Sequence, residues 1–130
     1  MKRSQGFTVI EVIVVAAFLG LAAVLLLMQR SDLAASQRDN QRKTAINAMY
    51  YNLEEVYYAK HGYYPTKIDE NTLTAMDPDL FTDPDKVTIN DTKAQYHYDA
   101  SNCQNNKCKS YKLTADMEKE ATYTKKSRNN

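Results

Sequence analysis

Glycine and proline are scarce in this chain of 130 residues, which has three of each, two cysteines, two histidines and no tryptophan. The glycines stand alone at positions 6, 20 and 62, so the glycine-rich loop that binds phosphate groups is absent. His61 and His97 are far apart, and neither a Ser-His-Asp set nor a cleft with paired carboxylates can be placed. We therefore expect a protein that is not an enzyme and has no resident cofactor.

An excess of charge of one sign is also missing. The 17 basic and 16 acidic side chains leave a formal net charge of +1. Such a balance gives no argument for binding to nucleic acid or to an anionic surface. Lys125, Lys126 and Arg128 form a basic cluster near the C-terminus. A solvated tail is the usual role of such a cluster, with contact to DNA as the alternative.

A long apolar run lies near the N-terminus. Residues 7–28 read FTVIEVIVVAAFLGLAAVLLLM, with a single charge at Glu11. As a helix rising about 1.5 Å per residue, this run would be roughly 33 Å long, which is enough to cross the hydrocarbon of a bilayer. The run is too long for the core of a signal peptide, and no A-x-A-like cleavage site follows it. It predicts a membrane-spanning helix.

A plain membrane anchor does not explain Glu11. An ionised carboxylate in a spanning helix costs about 2.5–3.5 kcal/mol on insertion scales, and such residues usually mark function. The run follows a short leader whose Lys2 and Arg3 favour the cytoplasmic side under the positive-inside rule. Behind this leader, Gly6-Phe7-Thr8-Val9-Ile10-Glu11 resembles the processing motif of the type IV prepilins and pseudopilins. The short leader and Phe7 resemble the type IVa branch.

The resemblance implies a pathway of processing and assembly. In that family prepilin peptidase cuts after the glycine and methylates the new N-terminal amine. Residues 1–6 would be the leader, and Phe7 would become the methylated first residue. Glu11 would pair with the N-terminal amine of a neighbouring subunit as the filament grows. The implied partners are further copies of this chain, prepilin peptidase, the pilus assembly machinery and, before assembly, the membrane.

The apolar helix departs from the family pattern at one position. Many pilins have a glycine and, eight residues later, a proline in this helix, and the segment between them unwinds in the filament. Gly20 matches the glycine, but Met28 stands at the position of the proline. A lone glycine costs only about 1 kcal/mol relative to alanine, so it loosens a helix without breaking it. Unwinding near Gly20 on assembly therefore remains open.

The helix is predicted to continue beyond the membrane. No glycine or proline occurs between Gln29 and Lys60. The apolar residues of this region recur mostly every three or four positions, as on one face of a helix: Leu33, Ala45, Ile46, Met49, Leu53, Val56 and Tyr57. We expect an amphipathic half over residues 29–61, capped at its C-terminus by Gly62, with the polar residues 31–44 partly exposed.

Residues 62–130 are expected to form a globular head. An acidic linker leads into segments that alternate in the two-residue manner of half-buried strands: 87–89, 95–98, 110–113 and an edge strand at 121–124. The tail from residue 125 is predicted to be frayed. The fold class is therefore α+β: a long N-terminal helix packed on a small antiparallel sheet of three or four strands, as in the pilin fold.

Two cysteines are predicted to lie in the loop between the second and third of these segments. If the head is exported, Cys103 and Cys108 most readily form a disulfide across that loop, since two lone cysteines are a weak zinc motif. A calcium site in the acidic linker is the less favoured cofactor, because the run lacks the spacing of a calcium loop and Asp-Pro pairs are ordinary turn formers. Its acids are Asp77, Asp79, Asp83 and Asp85.

Together these features predict a structural subunit of a type IV pilus, serving adhesion, twitching motility or DNA uptake. The precursor would cross the cytoplasmic membrane once with its head outside, and the processed subunit would join a filament on the bacterial cell surface. One alternative is a pseudopilin of a type II secretion or competence system. The other is a membrane-anchored extracellular binding module that does not polymerise.

Overall fold

The computed structural model describes residues 6–129, so the basic leader residues before Gly6 lie outside the described part of the chain. The described residues fall into two compact units, 6–34 and 35–129. Helix α1 (Val9–Tyr51) begins in the first unit and ends in the second. It is followed directly by a π-helical turn, Asn52–Tyr58, and by the short α2 (Ala59–His61). The predicted uninterrupted helix is confirmed.

The helix ends where glycine permits it. Gly62 adopts the left-handed conformation with φ 74°, and its N–H donates to the carbonyl of Tyr58 over 2.7 Å. A residue with a side chain is strained in this conformation, whereas glycine is not. The predicted C-terminal cap is therefore confirmed. The π-helical turn just before it was not expected, because π-turns leave no clear pattern in a sequence.

Three antiparallel strands form the sheet, in the order β1-β2-β3: β1 (Tyr96–Gln104), β2 (Lys107–Ala115) and β3 (Tyr123–Lys126). A two-residue turn joins β1 to β2, and both of its residues, Asn105 and Asn106, have positive φ, as a type I′ turn requires. The inward side chains of the sheet share one buried cluster with those of the helix: Tyr96, Tyr98, Tyr111, Leu113 and Ala115 from the sheet, and Ala45, Ile46, Met49 and Leu53 from the helix. The α+β prediction is confirmed.

The prediction of a strand at residues 87–89 is wrong. The segment makes only an isolated bridge, between Thr82 and Thr88. Lys86 and Asn90 on its two sides have φ of 66° and 67°, and these left-handed residues turn the chain after three positions. Ile89 is nevertheless buried. The alternating pattern therefore predicted its burial correctly, although the segment does not pair as a strand.

The acidic linker packs against the core of the head through its apolar side chains. Ile68, Leu73 and Phe81 are buried in the core, and Met76 and Leu80 are packed against it. A 3-10 helix, Pro78–Phe81, is capped by the carboxylate of Asp77, which accepts from the N–H of Asp79 over 3.0 Å. The linker is thus part of the head's core.

The prediction of a frayed tail is also wrong. Lys125 and Lys126 belong to β3, whose register places Lys126 opposite Lys112. The N–H of Ser127 donates to the carbonyl of Tyr111 over 3.1 Å. Arg128 then contacts the helix, as described below. The polar composition of the tail concealed these contacts, because an edge strand needs little apolar surface of its own.

The disulfide between Cys103 and Cys108 is confirmed, although its position differs from the prediction. The two cysteines are directly opposite each other on β1 and β2 rather than in the loop, with Cα atoms 3.9 Å apart. Cys108 is fully buried, and its backbone exchanges two hydrogen bonds of 2.9 Å with Tyr64. The bridge therefore fastens the hairpin beside the chain that leaves the helix.

Replacing both cysteines, Cys103→Ser with Cys108→Ser, should lower the free energy of unfolding by about 2 kcal/mol, because the unfolded chain regains the freedom of the closed loop. The measurement is urea unfolding of the full chain in detergent, followed by the near-ultraviolet circular dichroism of its tyrosines. Reduced wild-type protein is the control and should match the variant. An unchanged midpoint would show that the backbone pairing alone holds the hairpin.

Candidate processing and assembly site

The chain around the predicted cleavage point is not helical. Gly6, Phe7 and Thr8 precede α1, and the carbonyl of Thr8 accepts from the N–H groups of Glu11 and Val12 over 3.0 and 3.2 Å. Thr8 is thus the residue that caps the helix. The bond between Gly6 and Phe7 lies outside the helix, so cutting it would break no helical hydrogen bond. A side chain added at Gly6 would meet no atom within 4 Å, so the position is open.

Glu11 lies in the first turn of the helix and its side chain is exposed. Its N–H also donates to the hydroxyl Oγ1 of Thr8 over 3.3 Å, and Thr-x-x-Glu is the spacing of a capping box. A carboxylate near a helix N-terminus gains about 0.3–1 kcal/mol. This is less than the cost of about 2.5–3.5 kcal/mol for the charge in a spanning helix. The local cap therefore does not account for Glu11.

The side chains after the cleavage point form an uncovered apolar surface. Phe7 is 80% exposed, and every large apolar side chain from there to Met28 is exposed as well. Within residues 6–129 one helix is long and apolar enough to cross a membrane, and none of its apolar window is buried. By length and composition, this helix is compatible with a single-pass membrane anchor.

Gly20 lies in the middle of this surface. A Cβ atom added at Gly20 would meet nothing within 4 Å, so packing within the chain does not require glycine there. Helix α1 continues through both Gly20 and Met28. Helix flexibility at Gly20 remains a prediction. If glycine is needed at this position, the need arises in assembly rather than in the single chain.

A buried ionic cluster in the second unit was missed from the sequence. Asp39 and Arg42 of α1 are 2% and 1% exposed, although the polar stretch around them was expected to be partly exposed. Asp39 accepts from the N–H groups of Glu118 and Lys119, each over 2.9 Å. Arg42 donates to Asp39, Glu118 and Asp85 over 3.1, 2.9 and 2.7 Å. The cluster binds the loop between β2 and β3 to the helix.

A second buried acid, Glu54, lies in the π-helical turn. Its carboxylate accepts from the hydroxyls of Tyr64 and Tyr111 over 3.0 and 2.8 Å, and from the N–H of Arg128 over 3.1 Å. Burial, together with this carboxylate, raises the pKa of Tyr64 to about 12. The guanidinium of Arg128 binds Glu55 and Tyr50. Glu54 therefore fixes the C-terminal residues onto the helix.

The remaining candidate residues are not brought together. His61 stacks near Tyr57, with ring centroids 4.5 Å apart, and His97 is 3.8 Å from Asp116. Within residues 6–129, no three His, Cys, Asp or Glu side chains are grouped so as to hold a metal ion. Three acids of the run considered for calcium contact protein groups: Asp77 caps a 3-10 helix, Asp83 accepts from the N–H of Val87, and Asp85 binds Arg42 of the helix.

No family model, curated protein or solved structure matches the chain. The fold and the site define a class nonetheless: an α+β protein with an apolar, membrane-compatible N-terminal helix and a small disulfide-bonded head. The more particular assignment depends on the motif at Gly6 and on its placement before this helix.

The ionic cluster should make the head sensitive to acid. The hydrogen bond from Arg38, together with that from Arg42, lowers the pKa of Glu118 from 4.5 to about 2. Burial opposes ionisation of Asp39, but its hydrogen bonds outweigh burial, and its pKa is also lowered. Because the folded values lie below the unfolded ones, this stabilisation is present above about pH 4.5 and is lost as the pH falls toward 2.

We expect Glu118→Gln to remove much of this acid sensitivity, measured as urea midpoints of the full chain in detergent between pH 6 and pH 2.5. Glu120→Gln is the matched control, because Glu120 lies in the same loop and pairs with Lys43 at the surface. If wild type and Glu118→Gln lose stability in parallel across this range, the ionic cluster does not govern the acid response.

Proposed function

We propose that this chain is a type IV pilin-like structural subunit, which prepilin peptidase processes and which then polymerises through its N-terminal helix. The observation that carries the proposal is the motif from Gly6 to Glu11, with its cleavage point in exposed, non-helical chain directly before an uncovered apolar helix. The confirmed α+β architecture is consistent with such a subunit.

Processing would act on a chain already suited to it. A protease needs an accessible segment outside regular structure, and Gly6 and Phe7 are exposed and non-helical before the cap at Thr8. Removal of the leader takes away Lys2 and Arg3 and creates an ammonium group on Phe7. The helix keeps its own cap after cleavage, because Thr8 and Glu11 both lie on the product side.

Assembly would cover the exposed apolar helix and would pair the charge of Glu11, the two features that the single chain leaves unsatisfied. Helices from several copies, packed side by side, would bury the apolar surface of residues 7–28. In this low-dielectric setting Glu11 needs an opposite charge close by, and the amine of a neighbouring Phe7 would supply it. The head would then form the outer surface. Before assembly, the subunit would wait in the cytoplasmic membrane with its head outside.

The second candidate is a pseudopilin of a secretion or competence system. One observation favours it specifically: Met28 stands where many pilins have a proline, and α1 continues through this position. Long fibres on the cell surface would decide for the pilus, and short periplasm-spanning filaments would decide for the pseudopilin.

The first test is the intact mass of the protein isolated from cells. Loss of residues 1–6 and gain of one methyl group are expected, because the proposed peptidase both cuts after Gly6 and methylates the amine of Phe7. Protein from cells lacking prepilin peptidase is the control and should retain its leader. A full-length, unmethylated chain in normal cells would contradict processing and leave a membrane-anchored domain.

The second test separates the charge of Glu11 from its part in the helix cap. Glu11→Gln keeps a capping-box side chain but has no charge, so processing should continue. The yield of sheared filaments should fall by about tenfold or more, which corresponds to losing at least about 1.4 kcal/mol of the interaction between Glu11 and the amine. Thr8→Ser, which keeps the cap, is the matched control. Normal filament yield from Glu11→Gln would contradict the proposed pairing with the amine.

A further inference from the structure

The head has an apolar groove that its own side chains leave open. Among residues 35–129, the exposed large apolar side chains are Tyr51 and Val56, with 60% and 45% of their surfaces exposed. Both line one groove of about 380 Å³ between the helix and residues 75–80. Met76 and Leu80 line it from the linker. Exposed apolar side chains gathered in one groove are typical of a contact surface.

The linker on one side of this groove is acidic. Over residues 66–86 only Lys67 and Lys86 are basic, against six acids: Asp69, Glu70, Asp77, Asp79, Asp83 and Asp85. Glu70 and Asp79 are both exposed, and neither carboxylate has a hydrogen bond or ion pair within the described chain. The linker therefore presents negative charge that the head itself does not neutralise.

The sheet presents the opposite charge. Strands β2 and β3 contain five lysines and no acid. Lys125 is half-buried, with its ammonium over the rings of Tyr50 and Tyr123. The other four are exposed: Lys107, Lys109, Lys112 and Lys126. Lys112 lies directly opposite Lys126, and both are exposed. Like charges directly opposite across two strands are destabilising. Asp99 lies opposite Lys112 on the other side, which leaves Lys126 at the free edge without an acid across the ladder.

We propose that these two surfaces bind each other between copies of this chain: the exposed lysines of β2 and β3 on one head contact the acidic linker and the Tyr51–Val56 groove of the next. The aliphatic stems of lysine would cover the apolar groove while their ammonium groups reach Glu70 and Asp79. The inference rests on the proposed function, because only a polymerising chain brings one head regularly against another.

A second copy fits these observations better than other occupants. The contact joins two different surfaces of the same chain, so each head can receive one neighbour and bind another. Such heterologous contacts do not pair off into closed dimers and extend into filaments when the rotation does not close. DNA would be drawn to the lysines alone and would leave both the acidic linker and the apolar groove without a role.

The test is a charge-reversal cycle in the full-length protein, read as the yield of sheared filaments from cells. Lys112→Glu with Lys126→Glu should reduce the yield by about tenfold or more, and so should Glu70→Lys with Asp79→Lys. The four substitutions together should recover it to within about threefold of wild type, because the opposite charges face each other again. Lys60→Glu with Lys93→Glu is the matched control, since it changes the net charge equally on exposed lysines outside the sheet, the linker and the groove.

The outcomes are distinct. A normal yield from the sheet variant, or a loss that the fourfold variant does not recover, would overturn the contact. The intact mass of each variant is measured in parallel, and processed, methylated subunit must be present in the membrane at the wild-type level. If wild-type chain is processed but never yields filaments, the proposed function fails instead, whatever the variants do.

A second variant tests the groove independently of charge. Tyr51→Ser with Val56→Ser should also reduce the filament yield, because it removes the exposed apolar side chains of the groove. Both side chains are more than a third exposed, so the fold of the head should persist, checked by its tyrosine circular dichroism. Filaments at the wild-type level would show that the groove is not part of the contact.

Discussion

The apolar surface of residues 7–28 is the constraint on which everything else depends. A run of about 22 exposed residues, at about 25 cal/mol per Å² of apolar area, cannot remain in water. Its side chains are uncovered throughout. Cover must come from lipid or from other apolar surfaces, and by length and composition the helix is compatible with a single-pass membrane anchor. The head must therefore be stable without help from this part of the helix.

The head achieves that stability with buried polar groups as well as an apolar core. Asp39 and Arg42 bind the loop after β2, and Glu54 binds two tyrosine hydroxyls and the backbone of Arg128. A buried acid is tolerated only when its oxygens are satisfied, and each of these carboxylates accepts at least three hydrogen bonds. Both clusters join residues far apart in sequence, so they fix the loop and the tail onto one face of the helix.

The long-range character of these clusters explains which features could be predicted. Periodicity and a glycine cap identified the helix and its end at Gly62, because those signals are local. Alternation located the three paired strands, but β1 and β2 extend well beyond the predicted 95–98 and 110–113, and β3 begins two residues after the start of the predicted 121–124. The same alternation failed at residues 87–89, where Lys86 and Asn90 turn the backbone. Asp39 and Glu54 could not be placed, since their partners, apart from Arg42 beside Asp39, are 10 to 80 residues away in the sequence. At the site, the Gly6–Glu11 motif and the apolar run behind it were recognised from the sequence, whereas the helix cap at Thr8 was not identified.

Each feature that the single chain leaves unresolved points in the same direction. The cap at Thr8 compensates for only a fraction of the cost of a charged Glu11 in a membrane. No packing contact within the chain requires glycine at position 20. Tyr51 and Val56 remain exposed on a head whose other large apolar side chains are covered. An anchored monomer would leave all of these without a physical cause. The proposed polymer would give each one a partner: an amine for Glu11, neighbouring helices around Gly20, and a neighbouring head over the groove.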